Sequence, residues 1–136
     1  MNKKNLKFII PGLIILLGFT ALIIYLSSVN NYKKEVEAIT ISDIDLSKIP
    51  DGIYTGDCNV NFIHAKVEVT MKAGEIADIR LLEHKNGRGK PAEAIINDIM
   101  KQQTLDVDAV SGATNSSKVI KKAIENALTK GVKDND

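Results

Sequence analysis

A chain of 136 residues has room for one modest domain. Its 18 Lys plus Arg nearly balance its 17 Asp plus Glu, it has no Trp, and only 4% of its residues are aromatic. That composition gives neither the basic footprint nor the stacking platform that nucleic-acid binding needs. Cys58 is the only cysteine, which excludes an intramolecular disulfide and a cysteine-held metal or cluster. His64 and His84 have no ligand-like spacing, and no metal site is expected.

In chain order, the first predicted element is apolar. Residues 8–26 read FIIPGLIILLGFTALIIYL without a charge. That is close to the roughly 20 residues needed to cross a hydrocarbon core, and the run lacks the polar face of a soluble core helix. Pro11, Gly12 and Gly18 are tolerable in a membrane helix. A cleavable signal peptide is the competing reading. Its apolar core is shorter and ends in a small-residue site, and the following YLSSVN matches A-x-A poorly. The expectation is an uncleaved transmembrane helix over 8–26 in contact with membrane lipid. Lys3, Lys4 and Lys7 precede it, whereas Lys33 and Lys34 follow it. With the α-amino group, this places residues 1–7 in the cytoplasm and the rest of the chain outside.

Residues 27–50 are polar with scattered apolar positions, and read as a helical extension and linker. As a flexible coil, such a linker spans about 25–30 Å on average. A domain is expected over 51–131, with a polar tail at 132–136. DGIYTG (51–56) reads as a turn leading into a short first strand. From Val60 to Met71 the pattern alternates, with Ile63, Ala65, Val67, Val69 and Met71 on one face. Gly74 supplies a turn. A second strand follows over 76–83, with Ala77, Ile79 and Leu81 expected inside. HKNGRGK (84–90) is a loop by composition, and Pro91 suits the first turn of a helix carrying Ile95, Ile96, Ile99 and Met100. Residues 104–110 read as a short extended piece. The last helix carries a stripe of Val119, Ile120, Ala123, Ile124, Ala127 and Leu128, with Gly131 as its expected stop. The sum is α+β: a transmembrane helix, then a hairpin-based antiparallel sheet with two helices packed on one face.

The chemistry concentrates in DAVSGATNSS (108–117), directly before the last helix. Gly112 permits backbone angles that a side chain forbids. The first-turn amides of a helix lack intrahelical partners, and its dipole favours negative charge. The hydroxyls of Ser116 and Ser117 add donors, so the loop suits a phosphate. Alternatively, Thr114 is simply the N-cap of the helix and Gly112 serves a turn. His84, Arg88 and Lys90 are candidate contacts for the same ligand, or else a solvated charged loop. NSS (115–117) also fits the short glycosylation pattern. GKP (89–91) is not a P-loop, because Pro91 replaces the Ser/Thr.

Asp108 to Thr114 resembles the attachment motif of the FMN-binding domain family, Asp-x-x-Ser/Thr-Gly-Ala-Thr, with every specified position matched. That family includes the G subunit of the Rnf complex, the C subunit of sodium-pumping quinone reductase and many small anchored domains of bacteria. The DGIYTG opening, the alternating hairpin and the closing helix extend the resemblance through most of 51–130. It implies that a flavin transferase, using FAD and a divalent metal, joins FMN through its phosphate to the hydroxyl of Thr114. Asp108, Ser111, Gly112 and Ala113 would then be read by the transferase or shape the loop. It also implies maturation outside the cytoplasm, and an electron carrier or redox-complex subunit with protein donors and acceptors rather than an independent enzyme. The alternative reading is a non-catalytic extracytoplasmic binding or assembly module without flavin.

Overall fold

In the computed structural model, residues 3–133 are described. The ends of the expected cytoplasmic N-terminus (1–2) and polar tail (134–136) lie outside the described residues. The chain divides into two compact units, Met1–Lys34 and Glu35–Asp136.

The first unit consists of helix α1, which runs Lys3–Ala38 and continues into the second unit. Across Ile9 to Leu26 its large apolar side chains stand exposed, Ile15 at 70% and Ile24 at 69%. An apolar surface of this length, with a mean hydropathy of 2.6, is one helix long and apolar enough to cross a membrane.

The second unit is a three-stranded antiparallel sheet of order β1-β2-β3, built from β1 (Gly52–Val60), β2 (Ile63–Lys72) and β3 (Glu75–Lys85). Two-residue turns join the strands. Asn61 has φ 61° in the first, and Ala73 and Gly74 have φ 53° and 77° in the second. Positive φ at both central residues of the second turn, and at the first central residue of the first, matches the right-handed twist of a hairpin. The sequence pattern had merged Val60 with the next strand. Here Val60 ends β1 and pairs with Ile63, so the first strand is longer than the short one expected. Polar Asp57, Cys58 and Asn59 hid it, as suits an edge strand.

The alternation in β2 is realised in full, with Ile63, Ala65, Val67, Val69 and Met71 all buried. β3 departs from its expected inner face. Bulges at Thr70/Met71 and Lys66/Val67 insert extra residues opposite β2, so Ile76 pairs with Met71 and Ile79 with Val69. Ile76 and Ile79 are buried, Leu81 is half-buried, and Ala77 is exposed.

Two helices cover the inner face. A 3-10 turn, Lys90–Ala94, carries Pro91 in its first turn and leads into α2 (Ile95–Gln102), where Ile95 and Ile99 are fully buried. Gln103, at φ 54°, ends α2. Its side-chain amide donates to Met100 O (2.8 Å) and Ile76 O (3.0 Å), and its carbonyl accepts from Ile76 N (2.7 Å). One side chain thereby caps the helix and ties it to the start of β3. Residues 104–110 form no strand, although Leu105 and Val107 are buried.

Helix α3 (Thr114–Lys133) carries the predicted stripe, and all six of its residues are 0% exposed. Burying each of its Val, Ile and Leu side chains is worth about 1.5–3 kcal/mol. Gly131 lies inside this helix instead of stopping it. It is buried, and a Cβ there would stand 2.7 Å from Ile49 Cγ2 and 2.9 Å from the Tyr54 ring. Gly56 serves the same close approach from the sheet side, since its Cβ would meet Ala123 O at 2.2 Å. Lys130 Nζ and Asn126 Nδ2 donate to Thr55 O (2.6 Å) and Asp57 O (2.9 Å), covering carbonyls of the edge strand.

Candidate functional site

The loop before α3 is built by a single turn. Ala113 N donates to Val110 O at 2.9 Å, with Gly112 at φ 77° in the third position of the turn. Positive φ there is the requirement that selects glycine. A Cβ at Gly112 would meet nothing within 4 Å, so the backbone conformation, not crowding, demands glycine. Ser117 N then donates to Ala113 O at 2.9 Å, the first helical bond of α3. Ala113 is therefore the residue flanking the helix, and Thr114 is the first residue inside it. The capping role considered for Thr114 falls to a position without a side-chain acceptor.

The motif residues divide by exposure. Asp108, Ser111, Gly112 and Thr114 are exposed, while Ala113 is buried at 6%. Ser116 and Ser117 are buried at 2% and 0%. Ser117 Oγ accepts from Val110 N at 3.0 Å and so holds the loop against the helix. Ser116 packs against the HKNGRGK loop, where a Cβ on Gly89 would collide with its hydroxyl and lie 3.4 Å from Asn86 Cβ. Lys121 Nζ, two turns into α3, donates to Val107 O at 2.8 Å. Thus Ser116, Ser117 and Lys121 shape the loop, and the Thr114 hydroxyl is left at the surface.

His84 arrives at the inner face through the β3 bulges, paired with Ala65. Its side chain is only 3% exposed, and Nδ1 lies 3.0 Å from Glu93 Oε1. With a carboxylate as acceptor, Nδ1 carries the proton. Nε2 is buried and meets no hydrogen-bond partner among the described residues. Asn86 Nδ2 donates to His84 O at 3.2 Å, which links this histidine to the loop packed on Ser116. The fold thus brings the 84–90 loop to the first turn of α3. Arg88 and Lys90 are exposed there. Sequence reasoning missed Glu93 and Gly89; the Gly-Arg-Gly spacing was the available sign of the second. His64 faces the opposite side of the sheet, 3.4 Å from Glu83 and 4.0 Å from Asp57.

Cys58 lies half-buried on β1. Burial pushes its thiol up, Lys122 draws it down, and Asp57 raises it further. A protonated, half-buried thiol is a packing group rather than a nucleophile.

The residues present fit a phosphate-bearing group. An exposed hydroxyl stands at the positive end of a 20-residue helix, the adjacent glycine turn is open, and basic side chains lie on the neighbouring loop. These features define an α+β domain that presents one threonine at the head of a buried helix. Residues 63–129 match the model of the FMN-binding domain family. The globular unit belongs to that family, and the apolar α1 is consistent with its small membrane-anchored form. The match spans β2 to α3 and does not include the DGIYTG opening. No curated protein matches the chain.

Proposed function

We propose that the protein is a membrane-anchored electron carrier that holds FMN by a phosphoester bond to Thr114 on the extracytoplasmic side. The observation that carries this reading is the position of Thr114: exposed, at the first residue of α3, behind a complete Asp-x-x-Ser-Gly-Ala-Thr motif in a domain of this family. In the attachment step, a flavin transferase directs the Thr114 hydroxyl oxygen onto the flavin-side phosphorus of FAD. The O–P bond to Thr114 forms, the pyrophosphate bond breaks with AMP as leaving group, and the hydroxyl proton passes to the transferase.

The chain's own residues supply three things. Gly112 and the Ser117–Val110 bond hold Thr114 out from the surface where a transferase can reach it. The helix N-terminus favours the negative phosphodiester that results. The exposed Asp108 and Ser111 offer side chains for the transferase to read. The flavin supplies the redox chemistry, and its ring stays free of covalent bonds to protein. Covalent attachment prevents loss of the cofactor on a side of the membrane where it would diffuse away. Protein partners on that side would deliver and remove the electrons.

The test is co-expression of the full chain with a flavin transferase, followed by denaturing electrophoresis with in-gel flavin fluorescence and intact mass. The expected result is a fluorescent band whose mass includes one FMN phosphoester, and its loss in Thr114→Ala. Covalent flavin retained in Thr114→Ala would sink the assignment. A non-fluorescent wild-type chain beside an active transferase would favour a flavin-free binding module.

A further inference from the structure

We infer that one end of the globular unit docks on an anionic lipid surface through Phe62 and the basic groups Lys85, Arg88 and Lys90. The inference goes beyond the proposed function and does not depend on an attached flavin.

The fold gathers these residues at the end where α3 begins. β1 runs antiparallel to α3, since Tyr54 lies against Gly131 while Gly56 lies against Ala123 and Ala127. The turn after β1, Asn61 and Phe62, therefore falls beyond Gly56 towards the first turns of α3. His64 pairs with Lys85, so β3 finishes at the same end of the sheet. The loop that follows reaches the first turn of α3, where a Cβ on Gly89 would collide with Ser116.

The chemistry of this end suits a bilayer surface. Phe62 is 40% exposed at its turn. Lys85, Arg88 and Lys90 are exposed, and residues 84–92 contain no acidic group. The carboxylates on either side are engaged by histidines, Glu83 at 3.4 Å from His64 and Glu93 at 3.0 Å from His84. None of the three cations has an ion-pair partner among the described residues. An aromatic ring beside unpaired cations matches the headgroup region, where the ring enters the apolar boundary and the cations meet phosphate. One ring and three cations are too little to hold a free protein on a bilayer. With α1 as the membrane anchor, however, the contact is effectively intramolecular, and a weak patch suffices.

The path of the chain inside the unit agrees. Lys122 Nζ donates to Thr40 O (3.0 Å), Ser42 N donates to Glu125 Oε1 (3.1 Å), and Ile49 lies against Gly131. Residues 40–49 thus run along α3 away from Thr114. The chain enters the unit beside the N-terminal half of α3, the half that leads to the basic end.

The test uses the full chain in bilayer discs of phosphatidylcholine, with or without phosphatidylglycerol, whose acyl chains are brominated near the headgroup. The protein has no native Trp, so Phe62→Trp gives a single probe in place of an aromatic side chain. Asp78→Trp is the control, exposed on β3 beside Thr70 and towards the opposite end of the sheet. The expected result is quenching of Phe62→Trp that is several-fold stronger with phosphatidylglycerol than without it, and no such difference for Asp78→Trp. Lys85→Gln, Arg88→Gln and Lys90→Gln together should return the quenching to the phosphatidylcholine level, as should high salt. Quenching that ignores lipid charge, or no quenching in either disc, would overturn the lipid contact and leave the cations to an acidic protein partner. In the unsubstituted chain, hydrogen exchange across 84–90 should slow when phosphatidylglycerol is present, and unchanged exchange would overturn the contact as well. None of these readouts involves covalent flavin, so their failure leaves the attachment at Thr114 standing.

Discussion

A threonine one residue inside a helix has a different fate from one at its cap. At the cap its oxygen is spent on a backbone amide. At the first helical position Thr114 is exposed, and the turn that fixes its direction is made by Val110, Gly112 and Ala113. Thr114→Ala should therefore change stability by no more than about 0.5 kcal/mol while abolishing covalent flavin. Thermal unfolding of the flavin-free proteins checks the first outcome. Gly56 is the opposite case, structural and without chemistry. A Cβ there stands 2.2 Å from Ala123 O and 2.3 Å from Ala127 N, both backbone atoms that cannot swing away. Gly56→Ala should cost about 3 kcal/mol in denaturant unfolding by forcing α3 off the sheet. Cys58 gives a pH-dependent readout. Burial raises its thiol pKa, so the folded state holds the thiol proton more tightly than the unfolded chain. Its contribution to stability is present below the ordinary thiol pKa and is lost as pH rises through the raised one. At pH 8, alkylation should be about tenfold slower in the native protein than in denaturant; equal rates would contradict this.

Among the elements, legibility followed the regularity of the pattern. β2 and α3 were readable because their burial keeps a strict period, two in one and near 3.6 in the other. The expected burial of Ala77 fails because the bulge at Thr70/Met71 leaves Ala77 unpaired, and no local composition announces a bulge. The bulge at Lys66/Val67 turns His84 inward opposite Ala65, which is why its partner Glu93 was not foreseen. Gly131 looked like a helix stop because its reason for being glycine, contact with Ile49 and Tyr54, lies far away in sequence. The loop with Thr114 was legible as a motif, whereas the roles of Ser116 and Ser117 needed the fold. Both are buried, and Ser117 fixes the loop. The segment over α3 was read only as linker, yet Glu125 clasps it through Ser42 N. Glu125→Ala removes that acceptor and the partner of Lys122, and should cost about 2 kcal/mol. Hydrogen exchange at the Ser42 amide should accelerate well beyond that of amides in β2. Unchanged protection at Ser42 would show that other contacts hold the segment.

At the scale of the whole molecule, the proposed function joins an apolar helix to a domain that matures on one side of a membrane. α1 offers 30 residues, Ile9–Ala38, containing a window apolar enough to span. Three lysines precede the apolar run and two follow it within ten residues, a modest bias in the direction of the proposed orientation. On the proposed function, attachment by an extracytoplasmic transferase demands the same orientation, because a domain left in the cytoplasm would not meet that enzyme. The two lines can be separated by an exposed cysteine on the sheet. Asp78→Cys in a Cys58→Ser background puts one accessible thiol on β3, away from the Thr114 loop. A membrane-impermeant maleimide should label it in intact cells stripped of their outer layers, with no increase on permeabilisation. Labelling that requires permeabilisation would place the domain in the cytoplasm. Moving Lys3, Lys4 and Lys7 to Gln should then shift a fraction of the chains to the opposite orientation. Covalent flavin should fall in proportion to the fraction that becomes inaccessible, since the attachment depends on which side Thr114 occupies.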